Sequence, residues 1–203
     1  EANWEPIKYA KLWRIHWLSN LVIFLGPPGA GKGTQAVTIA KEKNLAHIST
    51  GDMLREHVSN ETELGKIAKT LLDEGKLVPD SLVIEMLQER LLSNDCVKGA
   101  ILDGFPRTIA QAESLDKISD EFNISKVIVF EADRDELIKR ILNRGETSGR
   151  SDDTEESVSV RLEVYENDTA PLIEFYEQKN LVSKINAVGE VENIYNLILK
   201  EFE

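Results

Sequence analysis

A glycine-rich segment between an apolar run and a helical pattern constrains the fold of this chain more than any other feature. The segment reads LVIFLGPPGAGKGT from Leu21 to Thr34. Residues 21–25 predict a buried parallel strand, and residues 34–41 predict a helix. The glycines let the backbone turn sharply and approach a polyphosphate, while the amides at a helix start attract anions. The segment therefore predicts a phosphate-binding loop in which Lys32 supplies a mobile positive charge.

The loop departs from the usual phosphate-loop pattern at one position. The spacing G-x-x-x-x-G-K is present, but Gly33 follows Lys32 where serine or threonine is usual, and the hydroxyl comes one residue later at Thr34. An ordinary glycine-rich turn between a strand and a helix is the simplest alternative. The strand, the loop, the lysine and the helix all agree with phosphate binding, which favours the functional interpretation.

The composition limits the partners and the location of the protein. The 203 residues carry a formal net charge of −12, which argues against a nucleic-acid or anionic membrane partner, so positive charge for phosphates must be concentrated locally. The single cysteine, Cys96, excludes an internal disulfide and a cysteine zinc site and fits a reducing compartment. No apolar stretch approaches the roughly 20 residues that a membrane-spanning helix needs. We expect a cytoplasmic monomer without membrane attachment through residues 21–203.

Residues 1–20 form an N-terminal extension of unclear role. They contain all three tryptophans, Trp4, Trp13 and Trp17, and three basic against two acidic residues give them a formal charge of +1. Their apolar residues share one helical side only in part, so the amphipathic signal is weak. An additional packed helix, an engineered tail and the remainder of a targeting peptide are all compatible with this composition. Two glutamates and a single serine do not favour a transit peptide.

Apolar, strand-like runs alternate with helical patterns from residue 21 onward. The runs occur at residues 21–25, 47–48, 100–103, 127–131 and 181–185. This alternation predicts a parallel sheet with helices on both faces. Residues 50–78 are mostly helical in pattern and predict an insertion between the first two strand–helix units. Residues 145–149, GETSG, predict a short flexible loop between Arg144 and Arg150.

Arginine is concentrated in one part of the chain. Four of the nine arginines fall within 22 residues, at Arg140, Arg144, Arg150 and Arg161. Arg140 and Arg144 are four residues apart in a helical pattern and share a face. Guanidinium groups bind phosphate oxygens in a bidentate manner, but a salt-bridged surface is also possible because acidic residues lie at 152, 153, 155 and 156. Spacing alone does not decide between a phosphate site and a salt-bridged surface, and the phosphate-binding loop upstream favours the phosphate site.

Two further motifs follow strand-like runs. STGDMLR covers residues 49–55, and ILDGFPRTIAQ covers residues 101–111. In the second motif, Asp103 ends an apolar strand, which is the usual place for an acid that organises Mg²⁺ near a phosphate loop. A strand-end aspartate alone is more often a turn former, so its significance depends on the other motifs.

Together, the segments GPPGAGKGT, STGDMLR, DGFPRTIAQ and GRSDD closely resemble those of the adenylate kinases, within the nucleoside monophosphate kinase family, over residues 21–203. The resemblance implies an α/β fold of the P-loop NTPase type, with a parallel five-stranded sheet flanked by helices. The core would comprise residues 21–48, 80–143 and 152–203, with a helical insertion for the nucleoside monophosphate at 49–79 and a short lid at 144–151. The metal-binding cysteines of the long-lid members are absent, so no structural zinc is expected.

The resemblance also implies roles for individual residues on the ATP side. The ATP phosphates would be held by Gly29, Ala30, Gly31, Lys32, Gly33 and Thr34. Lys32 would follow the moving phosphoryl group, and Asp103 would hold Mg²⁺ through water. The transfer path and the lid would be lined by Arg140, Arg144, Arg150 and Arg161. The ATP adenine would lie near Gly189, and Asp152 and Asp153 would orient the lid arginines or the ribose side.

On the AMP side, the resemblance implies that Arg55 and Arg107 grip the phosphate. The motif around Arg107 contributes Gly104, Phe105 and Pro106 to this part of the site. The adenine would be placed by Thr50, by Gln111 and by the backbone of Lys76, Leu77 and Val78.

The implied activity is Mg²⁺-dependent, reversible transfer of the terminal phosphoryl group of ATP to AMP, which gives two ADP. Because the acceptor is already an anion, catalysis requires positioning and charge neutralisation rather than a strong base. A UMP/CMP kinase of the same fold is the nearest alternative, although Thr50, Thr108 and Gln111 favour adenine. A nucleotide-binding regulatory protein without catalysis is a second alternative, against which the full set of Lys32, Asp103 and the site arginines argues.

Overall fold

A parallel five-stranded sheet forms the centre of the molecule in the computed structural model, which describes residues 19–117, 122–148, 150 and 152–202. The strand order is β2-β3-β1-β4-β5, and every neighbouring pair is parallel. The strands are β1 (Ser19–Leu25), β2 (Ala46–Ser49), β3 (Gly99–Asp103), β4 (Phe122–Glu131) and β5 (Val182–Asn186). The predicted fold class is therefore confirmed.

The central strand β1 is buried on both faces, as its uninterrupted apolar sequence predicts. Leu21, Ile23 and Leu25 belong to one hydrophobic cluster, and Val22 and Phe24 belong to the other. Successive side chains of a strand point to opposite faces, so one apolar run supplies both halves of the core. The helices cover these two faces.

Nine α-helices lie in the described part of the chain. They are α1 (Lys32–Lys43), α2 (Thr50–Ser59), α3 (Glu63–Asp73), α4 (Asp80–Leu91), α5 (Ile109–Lys117), α6 (Arg134–Ser148), α7 (Glu155–Val164), α8 (Pro171–Glu177) and α9 (Val191–Lys200). A 3₁₀ turn (Asn94–Cys96) precedes β3, and a π-helical turn (Tyr165–Thr169) joins α7 to α8. The predicted helical insertion corresponds to α2 and α3, whose first turns are capped by the side chains of Ser49 and Thr62.

Two strands begin earlier than their apolar runs. β1 starts at Ser19, so two residues of the predicted extension 1–20 belong to the sheet, while the predictions for residues 1–18 lie outside the described residues. β4 starts at Phe122 rather than at Val127. A register irregularity opposite Leu21 and Val22 leaves Ser125 unpaired in the ladder, where its hydroxyl donates to the Leu21 carbonyl at 3.1 Å. Because this bulge interrupts the apolar pattern, the sequence does not indicate the first half of the strand.

The prediction of a flexible loop at residues 145–149 is wrong for residues 145–148, which continue α6; residue 149 lies outside the described residues. A Cβ atom on Gly145 would lie 2.8 Å from the Asp153 carbonyl oxygen. Glycine is therefore required here for close packing of the returning chain against the helix, rather than for flexibility.

Among the described residues, no helix has the length and apolar character needed to cross a membrane.

Candidate functional site

A cavity of about 480 Å³ opens at the carboxyl edge of the sheet. β1, β2 and β3 end here, and ligands of open α/β sheets bind at this edge. Its wall contains most of the residues singled out in the sequence: Gly31, Lys32, Gly33, Thr34, Arg55, Lys76, Leu77, Asp103, Gly104, Pro106, Arg107, Arg144, Arg150 and Arg161.

The loop between β1 and α1 has the backbone geometry that phosphate binding needs. Gly29 and Gly31 have φ angles of 84° and 87°, in the left-handed region that favours glycine. A Cβ atom on Gly29 would also lie 2.8 Å from the Leu137 carbonyl oxygen. Gly31 is the N-cap of α1, and residues 31–34 line the cavity, so the free amides of the first helical turn lie at its wall.

Lys32 lies within this loop and is partly buried. Its ammonium group donates to the carbonyl oxygens of Gly26 at 2.7 Å and Pro27 at 2.8 Å. Burial lowers the pKa of Lys32 to about 8, although the Asp103 carboxylate opposes this shift. The ammonium is thus placed in a strongly cationic site, where an anionic ligand would stabilise its charged form.

Asp103 and Gly33 together explain the departure from the usual loop pattern. A Cβ atom on Gly33 would lie 3.1 Å from Asp103 Oδ2, which is tighter than ordinary contact. Glycine therefore keeps space open in front of the carboxylate, and the donor is a hard oxygen that suits Mg²⁺. His47 Nε2 lies 3.6 Å from the same oxygen. Within the described ranges, no group of three or more His, Cys, Asp or Glu side chains could hold a metal ion.

A hydrogen-bonded cluster surrounds Arg107. Its Nε donates to the Gly104 carbonyl at 2.9 Å, and the Thr50 hydroxyl donates to the same carbonyl at 2.8 Å. The Thr169 hydroxyl donates to the Arg107 carbonyl at 2.9 Å. Burial and the neighbouring Arg161 lower the pKa of Arg107 from its usual value. This guanidinium is therefore fixed through its backbone and its Nε while an anion could bind its remaining nitrogens.

Asp52 connects the helical insertion with the chain beyond α6. Its Oδ1 accepts from Arg55 Nη2 at 2.5 Å and from Arg150 Nη2 at 3.2 Å. Partial burial raises the pKa of the Asp52 carboxyl, but the hydrogen bonds from Arg55 and Ser49 and the positive charges of Arg55 and Arg150 together lower it below its usual value. Two arginines from separate segments are therefore held together across the cavity.

Asp153 pairs with two of the clustered arginines. Arg144 Nε and Nη2 donate to its two oxygens at 2.7 and 2.6 Å, and Arg161 Nη1 donates to Oδ1 at 2.9 Å. Arg161 also donates to the Asp152 carbonyl at 2.8 Å. Burial raises the pKa of Asp153, but the hydrogen bonds and positive charges of Arg144 and Arg161 together lower it below its usual value. Arg144 and Arg161 thus form salt bridges and line the cavity at the same time, and their role in phosphate binding stays a prediction.

The wall of the cavity is strongly cationic on an acidic protein. Three carboxylates, Asp52, Asp103 and Asp152, face seven cationic side chains. The seven are Lys32, Arg55, Lys76, Arg107, Arg144, Arg150 and Arg161. The positive charge that phosphates would need is therefore concentrated at this one edge of the sheet.

Other predicted residues are not among those that line the cavity. They are Gly29, Ala30, Thr50, Val78, Phe105, Gln111, Arg140 and Gly189. Gln111 is buried beside Arg107, whose backbone N–H donates to Gln111 Oε1 at 2.7 Å. Arg140 does not join the other three arginines, because its Nε bonds to Glu136 and its Nη1 to the Ala187 carbonyl at 2.9 Å.

The structure adds residues that carried no predicted role. Asp52 is in a quoted motif, and its spacing of three residues from Arg55 on a helix could have indicated the ion pair. Tyr165 and Thr169 also line the cavity. They belong to the π-helical turn, which local sequence patterns do not reveal because such turns break the helical period.

A glycine-rich loop at the carboxyl edge of a parallel sheet, facing a cationic cavity, defines a P-loop nucleotide-binding protein. The adenylate kinase family profile matches residues 24–181. The chain is 48% identical over 181 residues to an adenylate kinase of Leptospira biflexa, covering 88% of this chain and 97% of that protein. It is 49% identical to the adenylate kinase of Parabacteroides distasonis (88% and 95% covered) and 46% identical to that of Thermus thermophilus (86% and 92%). The chain belongs to the adenylate kinase family.

Proposed function

We propose that this protein transfers the terminal phosphoryl group of ATP reversibly to AMP and forms two ADP. One observation carries the proposal: a single cavity holds the glycine-rich loop with Lys32 and, facing it, the arginines of the STGDMLR and DGFPR motifs. Two polyanions can approach each other only where cationic groups neutralise both. Family membership and the similarity to adenylate kinases of other organisms support the same activity.

The residues would act mainly by positioning the two nucleotides. Residues 29–34 cradle the ATP phosphates through backbone amides, and Lys32 neutralises charge on the group in transfer. Arg55 and Arg107 bind the acceptor phosphate. Arg144, Arg150 and Arg161 stabilise charge along the transfer path and in the lid. The acceptor oxygen is already anionic, so the chain supplies no general base.

Arg140 and Gly189 would serve the donor nucleotide. Gly189 follows β5, and Arg140 is tied to the Ala187 carbonyl in the same connection. This bond braces the segment against which we expect the ATP base to lie.

Mg²⁺ would accompany ATP and neutralise phosphate charge when bound. Asp103 would hold it through water, since one carboxylate with open space in front of it suits an ion that keeps most of its water shell. Asp103 would also set the charge next to Lys32, whose ammonium it stabilises.

Closure over both nucleotides would exclude water, which also accepts phosphoryl groups. Asp52 contributes because it joins Arg55 of the insertion to Arg150 of the proposed lid. The partners are ATP, AMP and ADP, and we propose a monomer in the cytoplasm, where these nucleotides occur and where the single thiol of Cys96 stays reduced.

An acceptor panel tests the proposal against the UMP/CMP alternative. The purified full chain is given Mg²⁺–ATP with AMP, CMP or UMP, and nucleoside diphosphates are separated by chromatography. AMP should be phosphorylated with the highest kcat/KM. A higher kcat/KM for CMP or UMP would show that the protein is a UMP/CMP kinase. Binding of the nucleotides without turnover would support a regulatory protein without catalysis.

A further inference from the structure

The amide of Gln111 is held in one orientation by two partners with opposite requirements. Its Nε2 donates to Asp80 Oδ1 at 2.7 Å, and its Oε1 accepts from the Arg107 backbone N–H at 2.7 Å. A carboxylate can only accept and a backbone N–H can only donate, so both partners impose the same orientation. Gln111 is 2% exposed, so water could not replace either bond after a flip.

Asp80 is itself fixed by its position. It is the first residue of α4, and its second oxygen accepts from the Thr108 hydroxyl at 2.9 Å. The Thr108 hydroxyl also accepts from the Gln111 backbone N–H at 3.2 Å. The carboxylate therefore clamps the start of the helix that carries Gln111 as well as the Gln111 amide.

A fixed amide can recognise only one polarity of a base edge. Beyond the two bonds above, Gln111 retains one amide hydrogen and one oxygen lone pair. Together they match an edge with an acceptor nitrogen next to an amino group, as in adenine. The hypoxanthine edge, with a protonated ring nitrogen next to an oxygen, matches only the flipped amide.

We propose that Asp80 is a specificity-determining residue that selects adenine by preventing the Gln111 amide from flipping. It acts through Gln111 and does not itself touch the nucleotide, so it is a positioning residue. The inference rests on the proposed function, in which Gln111 places the AMP base. Removing the carboxylate leaves Arg107 N–H as the only constraint on the amide.

The test compares AMP and inosine monophosphate as acceptors for the full chain, Asp80→Ala and Asp80→Ser, neither of which keeps a side-chain carbonyl oxygen at this position. The unmodified protein should favour AMP by more than about tenfold in kcat/KM, and both variants should narrow that ratio by about tenfold or more. The change should arise from KM for the acceptor, with KM for ATP unchanged. Asp95→Ser is the matched control, because the Asp95 carboxylate accepts from Arg90 and is not hydrogen-bonded to Gln111, and this variant should keep the original ratio.

An unchanged AMP-to-inosine ratio in either folded variant, checked by circular dichroism, would overturn the role of Asp80. If the unmodified protein itself discriminates only weakly between AMP and inosine monophosphate, the role of Asp80 is overturned as well, and no variant is needed to show it. If the unmodified protein phosphorylates neither acceptor, the proposed function itself fails. The two failures are therefore distinguishable.

Discussion

Lys32 and Arg107 illustrate how single residues create the site. Both are cations whose pKa values are lowered by burial, and each is hydrogen-bonded to backbone carbonyls of the loop that carries it. Their charges repel those of neighbouring arginines across the cavity. A polyphosphate would relieve that repulsion, so the same residues that cost stability would supply binding energy.

The pKa of Lys32 predicts a pH dependence. Burial lowers it to about 8, so the fraction of protonated lysine falls as pH rises through about 8. We expect kcat/KM for ATP to fall about tenfold per pH unit above that value, because this ratio reports the free enzyme. In the unfolded chain the pKa of Lys32 has its higher, usual value of 10.5. Between about 8 and 10.5 the unfolded chain therefore binds more protons than the folded chain, and the contribution of Lys32 to the free energy of unfolding rises with pH.

A pH–rate profile with a melting curve at each pH checks this expectation. The decline in kcat/KM should occur without loss of the folded state. Lys32→Arg keeps its charge and should remove the alkaline decline, whatever its absolute rate. A decline that persists unchanged in Lys32→Arg would assign it to another group.

Arg107→Ala should impair the use of AMP more than that of ATP. Loss of a charge-assisted hydrogen bond to the acceptor phosphate should lower kcat/KM for AMP by an amount equivalent to about 1.5–3 kcal/mol of transition-state stabilisation. Arg90→Ala is a matched control, since Arg90 is bound to Asp95 outside the cavity wall. Equal AMP kinetics in the two variants would show that Arg107 does not touch the acceptor.

At the scale of elements, the π-helical turn at Tyr165–Thr169 supports the loop that carries Arg107. It directs Thr169 to the Arg107 carbonyl, 62 residues away in the chain. The Thr169 residue is buried. The turn therefore connects the α7–α8 junction to the loop that carries Arg107, which we propose binds the acceptor phosphate.

Thr169→Val removes this hydroxyl with little change in shape. Loss of this hydrogen bond should weaken AMP binding by about 0.5–1.5 kcal/mol. Steady-state kinetics should therefore show a higher KM for AMP and an unchanged KM for ATP. Thr38→Val is the control, because the Thr38 side chain is exposed on α1 and bonds only within its own helix at 3.4 Å. A rise in both KM values would indicate general loosening instead.

Features that depend on neighbouring residues were predictable from the sequence. The apolar run of β1, the loop and the start of α1 follow one another without a break, and the observed elements agree with them. The early start of β4 was not predictable, because the bulge at Ser125 depends on pairing with β1. The contacts of Asp80 and Thr169 join residues far apart in the chain, and no local pattern encodes them.

At the scale of the whole molecule, three separate segments meet at the cavity. The phosphate-binding loop, the helical insertion and the chain around Arg150 all contribute to its wall. Asp52 already bonds Arg150 across the cavity. Binding of both nucleotides should therefore draw these segments together, which makes closing and reopening candidates for the slow step.

A ligand that joins two adenosines through five phosphates should occupy both nucleotide positions. Linking the two halves raises the effective concentration of the second without new contacts. We expect it to bind more tightly than ATP by titration calorimetry, with one ligand per chain. Affinity below that of ATP would contradict two adjacent adenosine positions.

Transfer of labelled phosphate tests the central claim most directly. The protein receives ATP labelled in its terminal phosphate together with AMP and Mg²⁺, and the products are separated over time. The label should appear in newly formed ADP, two ADP should form for each AMP consumed, and little free phosphate should be released. Lys32→Ala should nearly abolish the transfer while remaining folded. Label appearing mainly as free phosphate, or normal transfer by Lys32→Ala, would contradict the assignment of this cavity to phosphoryl transfer between two nucleotides.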